Sequence, residues 1–225
     1  MIRLVYAVIS TGVFTMIACN NPASNDAAPV MELQYSSILG SSDIQEDLSG
    51  SGSGEKDIYT VTVSKADGLW GGWEEIGYYH TVTTAGSFSF SAIFKGLTGE
   101  DAMSQGGLMV RESLKGISAY AALRMIDGIY DPVARVTGSS SAVSAGSNVQ
   151  YKEGDLLFIY CAEQAGTTRN FNVEVGAKRD GQVIISKTYA VSTSSDTLYI
   201  GIFGADHSSS TGSFSVGEIS ITSIK

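Results

Sequence analysis

Residues 88–125 read FSFSAIFKGLTGEDAMSQGGLMVRESLKGISAYAALRM. Apolar side chains alternate with small or polar ones in three runs, Phe88–Phe94, Gly107–Glu112 and Ala119–Met125. A period of two residues is typical of a β-strand, because successive side chains of a strand point to opposite faces of the sheet. The residues between the runs are rich in Gly, Ser and charge, as in turns. The stretch therefore predicts three β-strands.

Similar runs recur on both sides of this stretch. They lie at residues 58–63, 133–137, 156–162, 171–177, 183–189, 197–203 and 214–224, and residues 30–35 alternate weakly. Asp180-Gly181, between two of the runs, is a strong hairpin signal. No window of a dozen residues has a convincing helical period. Many strands with turns between them predict an all-β sandwich or barrel.

The composition agrees with this fold class and excludes some functions. The 225 residues include 26 Gly and only 3 Pro, which suits strands joined by tight turns. The formal net charge of −9 argues against nucleic-acid binding, which needs clustered Lys and Arg. The chain has two cysteines, and Cys161 ends the apolar run LLFIYC, so we expect it to be a buried, inert thiol.

The first residues, MIRLVYAVISTGVFTMIAC, have the features of a secretory signal. Arg3 gives a positive start, and the apolar segment from Leu4 to Ile17 is short for a membrane span. Met16-Ile17-Ala18-Cys19 resembles a bacterial lipobox in which Met16 stands where Leu is usual. Cleavage before Cys19 would leave that residue to carry two or three acyl chains, which anchor a protein stably. The alternative is an ordinary cleaved signal with an incidental cysteine.

We therefore predict a signal peptide at residues 1–18, a lipidated cysteine and tether at 19–30, and one β-sandwich domain at 31–225. The polar run after Cys19 is typical of a tether. The expected location is the bacterial cell envelope, with the lipid anchor in the membrane. Asn20 favours the outer membrane if the host has two membranes.

Several motifs resemble a family of concanavalin A-like domains, known as domains of unknown function and as "regulation of enolase protein 1"-like. They are Ala66-Asp67-Gly68-Leu69-Trp70-Gly71, Gly106–Leu114, Tyr199–His207 with Gly212–Ile219, and Ser42-Asp43-Ile44. The resemblance covers residues 31–225 and implies a jelly-roll sandwich of two antiparallel sheets. It also implies that the SGSGSG stretch (49–54) is a loop inside the domain. Met103 departs from the family, which often has Trp there, and this implies a reduced aromatic platform for sugar.

The carboxylates match no known hydrolase motif. Glu153-Gly154-Asp155-Leu156-Leu157-Phe158 has Phe where a sandwich glycosidase would have its third carboxylate, and Gly154 indicates a turn. We expect the adjacent pairs Glu74-Glu75 and Glu100-Asp101 to be solvated loop charges. Gly50–Gly54 matches the letters of a serine-hydrolase elbow, but it lies in a low-complexity stretch before a strand. These patterns do not predict an enzyme.

No cofactor or metal site is predicted. His80 and His207 form no helical pair, so a zinc site is not expected. Asp127 and Asp131 flank a turn signal and leave a calcium-binding loop open as an alternative.

Aromatic residues crowd into a Gly-rich stretch that we expect at a sheet edge or in a loop. Trp70 belongs to a family turn, which favours the core, whereas Trp73, Tyr78 and Tyr79 are candidate sugar contacts. Core packing is the alternative for all of them.

Arg111 and Glu112 are consecutive on a predicted strand and should face opposite ways. If Arg111, Arg124 and His207 converge on one sheet, they would bind an anion or sugar hydroxyls. The alternatives are a structural salt bridge and a capped loop histidine.

The sequence favours a lipid-anchored, non-enzymatic binding module for a carbohydrate or a glycosylated partner. Two other classes stay open. One is a glycoside hydrolase or lyase with an unfamiliar site, and the other is a structural lipoprotein that binds another envelope protein.

Overall fold

The computed structural model describes residues 5–9, 12–16, 33–39, 49–55, 58–66, 68–69, 74–84, 86–99, 102–138, 140–163, 169–207 and 211–223. The chain divides into two units, Met1–Met31 and Glu32–Lys225. In the first, strands β1 (Val5–Ile9) and β2 (Gly12–Met16) pair in antiparallel fashion. Among the described residues, no helix has the length and apolar character needed to cross a membrane.

The second unit consists of strands. In chain order they are β3 (Gln34–Leu39), β4 (Ser49–Glu55), β5 (Ile58–Ser64), β6 (Gly68–Leu69), β7 (Glu74–Thr84), β8 (Phe88–Thr98), β9 (Gln105–Arg111), β10 (Tyr120–Ile126), β11 (Ile129–Arg135), β12 (Val143–Ser144), β13 (Leu156–Glu163), β14 (Arg169–Arg179), β15 (Gln182–Thr193), β16 (Thr197–Ala205) and β17 (Thr211–Ser223).

These strands form two sheets, and every described pairing is antiparallel. In the described residues, an eight-stranded sheet has the order β12-β11-β10-β9-β16-β7-β3, with β6 paired to β7. A seven-stranded sheet has the order β15-β14-β13-β8-β17-β5-β4. Strands β9 and β16 are neighbours although a long stretch of sequence separates them, as in a jelly roll. The predicted fold class, an all-β jelly-roll sandwich of two antiparallel sheets, is confirmed.

The two sheets pack face to face around the core. A Cβ at Gly106 of the eight-stranded sheet would lie 2.5 Å from the ring of Phe214 in the other sheet, so this side is the inner face. Leu108 and Val110 follow Gly106 at spacings of two and share that face. Gly107, Met109 and Arg111 therefore point to the opposite side, which we call the outer face.

Two details at the level of single residues match the sequence. Asp180 and Gly181 have φ angles of 53° and 77°, and they form the tight turn between β14 and β15. Cys161 is fully buried, and its burial, with the charge of Glu163 nearby, raises the pKa of the thiol to about 12.

Two expectations were wrong. The SGSGSG stretch is the edge strand β4 rather than a loop, because it pairs with β5 along its whole length. The described part of the aromatic stretch, from Glu74 onward, lies in β7 between β16 and β3, so Tyr78 and Tyr79 are neither in a loop nor at a sheet edge.

Candidate functional site

The outer face of the eight-stranded sheet carries a buried row of polar side chains. Arg111, Tyr120 and Arg135 are direct neighbours across β9, β10 and β11. Residues directly opposite each other in a ladder project from the same face. Arg111 is 1% exposed and the other two are 0% exposed. Two guanidinium groups are therefore buried on this face, which requires partners for their charge.

Glu74, the first residue of β7, supplies a charged partner to both arginines. Its Oε2 lies 2.8 Å from Arg111 Nη2, and its Oε1 accepts a hydrogen bond from Arg135 Nη1. Glu74 is fully buried, so the expectation that Glu74 and Glu75 are solvated loop charges was wrong. The reason lies in tertiary contacts, because the arginines come from two other strands.

Arg111 also holds the chain that follows β9. Its Nε donates to the carbonyl of Ser113 at 2.5 Å, and its Nη2 donates to the carbonyl of Lys115 at 2.8 Å and to Ser118 Oγ at 2.9 Å. The neighbouring Glu112 points elsewhere and accepts bonds from the backbone and hydroxyl of Ser194 at 2.9 Å. The structural salt bridge that the sequence left open for Arg111 is thus present.

A second ion pair lies on the same face. Arg124 Nε donates to Asp131 Oδ2 at 3.2 Å, and its Nη2 donates to the same oxygen. Its Nη1 donates to the carbonyl of Leu69, so β6 lies over this part of the face. The other oxygen of Asp131 accepts from the backbone of Gly146 at 3.2 Å. Asp131 is therefore bonded to Arg124, Ser144 and Gly146.

Tyr78 and His80 follow on the outer face. The hydroxyl of Tyr78 donates to the carbonyls of Met109 at 2.9 Å and Tyr199 at 3.0 Å. Its ring stacks on His80 with centroids 5.0 Å apart. Burial, with the charge of Arg111, lowers the pKa of His80 to about 4, so this histidine is neutral at pH 7.

The candidate ligand residues from the sequence do not form one cluster. Tyr78, Arg111 and Arg124 share the outer face, but all three are buried. Tyr79 projects from the inner side, where its ring lies 6.3 Å from that of Tyr59. Trp73, Trp70 and Cys19 lie outside the described residues.

His207 does not converge with Arg111, as one shared site for Arg111, Arg124 and His207 would require. Arg111 lies opposite Tyr199 on β16. The exposed His207 follows Tyr199 by eight residues, a distance of about 26 Å along an extended strand. His207 therefore lies beyond the end of β16. Ligand binding by the individual residues stays a prediction.

An open space at one end of the sandwich is a second candidate. We call it the end cleft; its volume is about 160 Å³. Its lining is mostly polar and comes from three loops and the end of β8: Leu97, Thr98, Gly99, Ala102, Ser104, Asp127, Gly128 and Tyr151. The sequence patterns did not single out Tyr151, because it lies between strands, where alternation carries no signal.

The turn between β10 and β11 forms one wall of the end cleft. Asp127 and Gly128 have φ angles of 49° and 78°, as a two-residue hairpin turn requires. Asp127 N donates to the carbonyl of Ala102 at 3.2 Å, and Tyr151 N donates to the carbonyl of Gly128 at 3.3 Å. These bonds tie the turn to its neighbouring loops and leave the Asp127 side chain exposed.

Asp155 anchors the loop that carries Tyr151. Its carboxylate accepts bonds from Tyr130 Oη at 2.7 Å, from Lys152 N at 2.9 Å and from Arg179 Nε and Nη2 at 2.8 Å each. Burial opposes ionisation of Asp155, but the hydrogen bonds from Arg179, Tyr130 and Lys152 outweigh it and lower the pKa. The Tyr151 ring also meets Phe94 edge-on with centroids 5.5 Å apart. The cleft wall is therefore preformed.

Comparisons with known proteins give similarity of fold only. No family model and no curated protein match the chain. A functionally unknown protein from Saccharomyces cerevisiae superposes with a TM-score of 0.57 at 14% identity, over 86% of this chain and 97% of that one. A legume lectin-like domain from Entamoeba histolytica superposes with a TM-score of 0.47 at 14% identity, over 80% of this chain and 90% of that one. A carbohydrate-binding module from Bacillus subtilis superposes with a TM-score of 0.44 at 10% identity, over 84% of this chain and 95% of that one. The family resemblance seen in the sequence stays a prediction.

Proposed function

We propose that this domain is a non-catalytic binding module that takes a carbohydrate, or the glycan of a glycosylated partner, in the end cleft. The observation that carries the proposal is the joint presence of Tyr151 and Asp127 around one open space. Burial raises the pKa of the Tyr151 hydroxyl, and the charge of the nearby Asp127 adds to this effect. The two groups are thus close enough to contact one ligand.

The chemistry of the lining suits a sugar. Sugar sites combine an aromatic ring, which packs on the apolar face of a pyranose, with a few polar groups that fix its hydroxyls. Tyr151 supplies the ring and Asp127 a carboxylate acceptor. Thr98 and Ser104 add hydroxyl groups, which already bond Ser213 and Asp206 and are therefore held in position. Trp73 remains a further candidate contact from the sequence.

The location of the module is also part of the proposal. Cys19 would carry the lipid anchor, and residues 20–30 would tether the domain to a membrane of the bacterial envelope, the outer one if the host has two. In this position a sugar-binding cleft would meet envelope polysaccharides or glycosylated envelope proteins.

A glycan-array screen of the purified full chain tests the proposal, with Asp127→Asn as the variant. Asn tolerates the positive φ of this position, so the turn should persist while the carboxylate is lost. Asp180→Asn is the matched control, because it makes the same change in a second described Asp-Gly turn. We expect binding to a defined glycan that weakens about tenfold in Asp127→Asn only. Absence of binding, or equal loss in both variants, would contradict the proposal.

A further inference from the structure

Arg135 has buried hydrogen-bond donors without partners. Its Nε and Nη2 have no hydrogen-bond partner among the residues that the structure describes, and both atoms are shielded from solvent. The hydroxyl of Tyr120, the neighbour of Arg135 in the ladder, is also buried and has no partner in the described part of the chain. The guanidinium lies over the Tyr120 ring at 5.6 Å from its centroid. A buried donor left unpaired by the chain is costly, and a water, an ion or another bound group is the usual explanation.

The two free nitrogens form one edge of the guanidinium. Nε–H and Nη2–H point the same way, and this edge matches the two oxygens of a carboxylate. Among the described residues, Arg135 forms a hydrogen bond with Glu74, which accepts from Nη1 on the opposite side and also pairs with Arg111. One carboxylate therefore faces two guanidinium groups, and the second edge stays open.

The other arginines whose side chains the structure describes show what this edge binds. Arg179 uses Nε and Nη2 to hold both oxygens of Asp155. Arg124 directs the same two atoms to Asp131, and Arg111 directs them to loop carbonyls and Ser118. Among these four residues, the edge is empty only in Arg135.

We propose that the open edge of Arg135, together with the Tyr120 hydroxyl, binds a carboxylate group from a small ligand. The carboxylate would accept the two N–H groups side by side and the phenolic O–H on one of its oxygens. This site lies on the outer face and differs from the end cleft, so it goes beyond the proposed function. Free carboxylates and sugar acids present the same group.

Thermal unfolding of the full chain at constant ionic strength tests the site, with sodium acetate exchanged for sodium chloride. A ligand that binds only the folded state raises the unfolding midpoint. The ligand can reach a closed site because the chain unfolds and refolds in its presence. General salt effects of acetate act alike on all variants. Arg135→Lys keeps the positive charge but removes the paired Nε–H and Nη2–H donors of the guanidinium edge. Arg179→Lys is the matched control, since its edge is filled by Asp155.

We expect acetate to raise the unfolding midpoint of the wild type and of Arg179→Lys until the effect saturates. Arg135→Lys should need about tenfold more acetate for the same shift of the midpoint. Tyr120→Phe is a second variant for the case that Arg135→Lys folds poorly. It removes a hydroxyl that has no partner among the described residues, so it should not disturb folding. It should unfold in chloride like wild type or later, and respond less to acetate. Equal acetate responses in all four proteins would overturn the proposal and indicate that water fills the edge.

A second pair of ligands identifies the source of the carboxylate. Glucuronate and glucose differ in the carboxylate but share the sugar ring. A larger shift with glucuronate than with acetate, and none with glucose, would support a sugar acid. A shift with acetate alone would support a free small carboxylate. A shift with glucose in the Arg135→Lys protein would report on the end cleft, and Asp127→Asn would remove it.

Discussion

Glu74 Oε2 lies 2.8 Å from Arg111 Nη2, and neither side chain is exposed. Glu74 also binds Arg135, so one carboxylate connects β7 with β9 and β11. Removing it would leave two buried guanidinium groups without their shared partner. We expect Glu74→Gln to lower the free energy of unfolding by about 3–5 kcal/mol. Urea unfolding measures this, with the exposed Glu153→Gln as a control that should change it by less than about 0.5 kcal/mol. A loss as small as that of the control would show that the network does not stabilise the fold.

His80 should make stability depend on pH between neutrality and pH 5. Its pKa is about 4 in the folded protein, chiefly because of burial, against an ordinary 6.5 when unfolded. Protonation therefore favours the unfolded chain, and the stability present above pH 6.5 is lost as the pH falls towards 4. The expected loss between pH 7 and pH 5 is roughly 1–2 kcal/mol.

Urea midpoints of wild type and His80→Gln over this pH range test the assignment. The fall of the urea midpoint with decreasing pH should become smaller in His80→Gln. It should persist in His207→Gln, because His207 is exposed. An unchanged slope in His80→Gln would mean that other groups cause it.

Gly107 should tolerate no side chain. A Cβ there would lie 1.9 Å from the carbonyl oxygen of Leu123 on the neighbouring strand, and a backbone atom cannot move aside cheaply. We expect Gly107→Ala to destabilise the domain by several kcal/mol, about 3 or more. Gly96→Ala is the control, since a Cβ at Gly96 meets nothing within 4 Å. Similar melting temperatures for the two variants would contradict the packing of β9 against β10.

Cys19 should be the lipidated residue. In cells fed a clickable palmitate analogue, the wild type and Cys161→Ala should be labelled and should sediment with membranes, because Cys161 is buried. Cys19→Ala should carry no label and should not be retained at the membrane. Label on Cys19→Ala would refute the lipobox assignment.

The sequence predicted the strands well where alternation was clear. Phe88–Phe94 lies within β8, and the Asp180-Gly181 turn was located to the residue. In β9 and β10 every residue is buried, because both faces of the central strands are covered. Strand β7 was missed, since its adjacent Glu74 and Glu75 suggested solvent exposure.

The site was harder to predict, because its contacts span long separations in the chain. Glu74 and Arg135 are 61 positions apart, and no local pattern connects them. Tyr151 and Asp127 meet across two loops. The ladder Arg111, Tyr120, Arg135 depends on the register of three strands, which alternation alone does not fix.

Amide chemical shifts of the ¹⁵N-labelled full chain, recorded during titration with the glycan chosen by the array, show whether a sugar binds in the end cleft. We expect shifts that saturate at Gly99, Ser104, Gly128 and Tyr151 and that vanish in Asp127→Asn. Shifts confined to other surfaces, or none at saturating glycan, would contradict it.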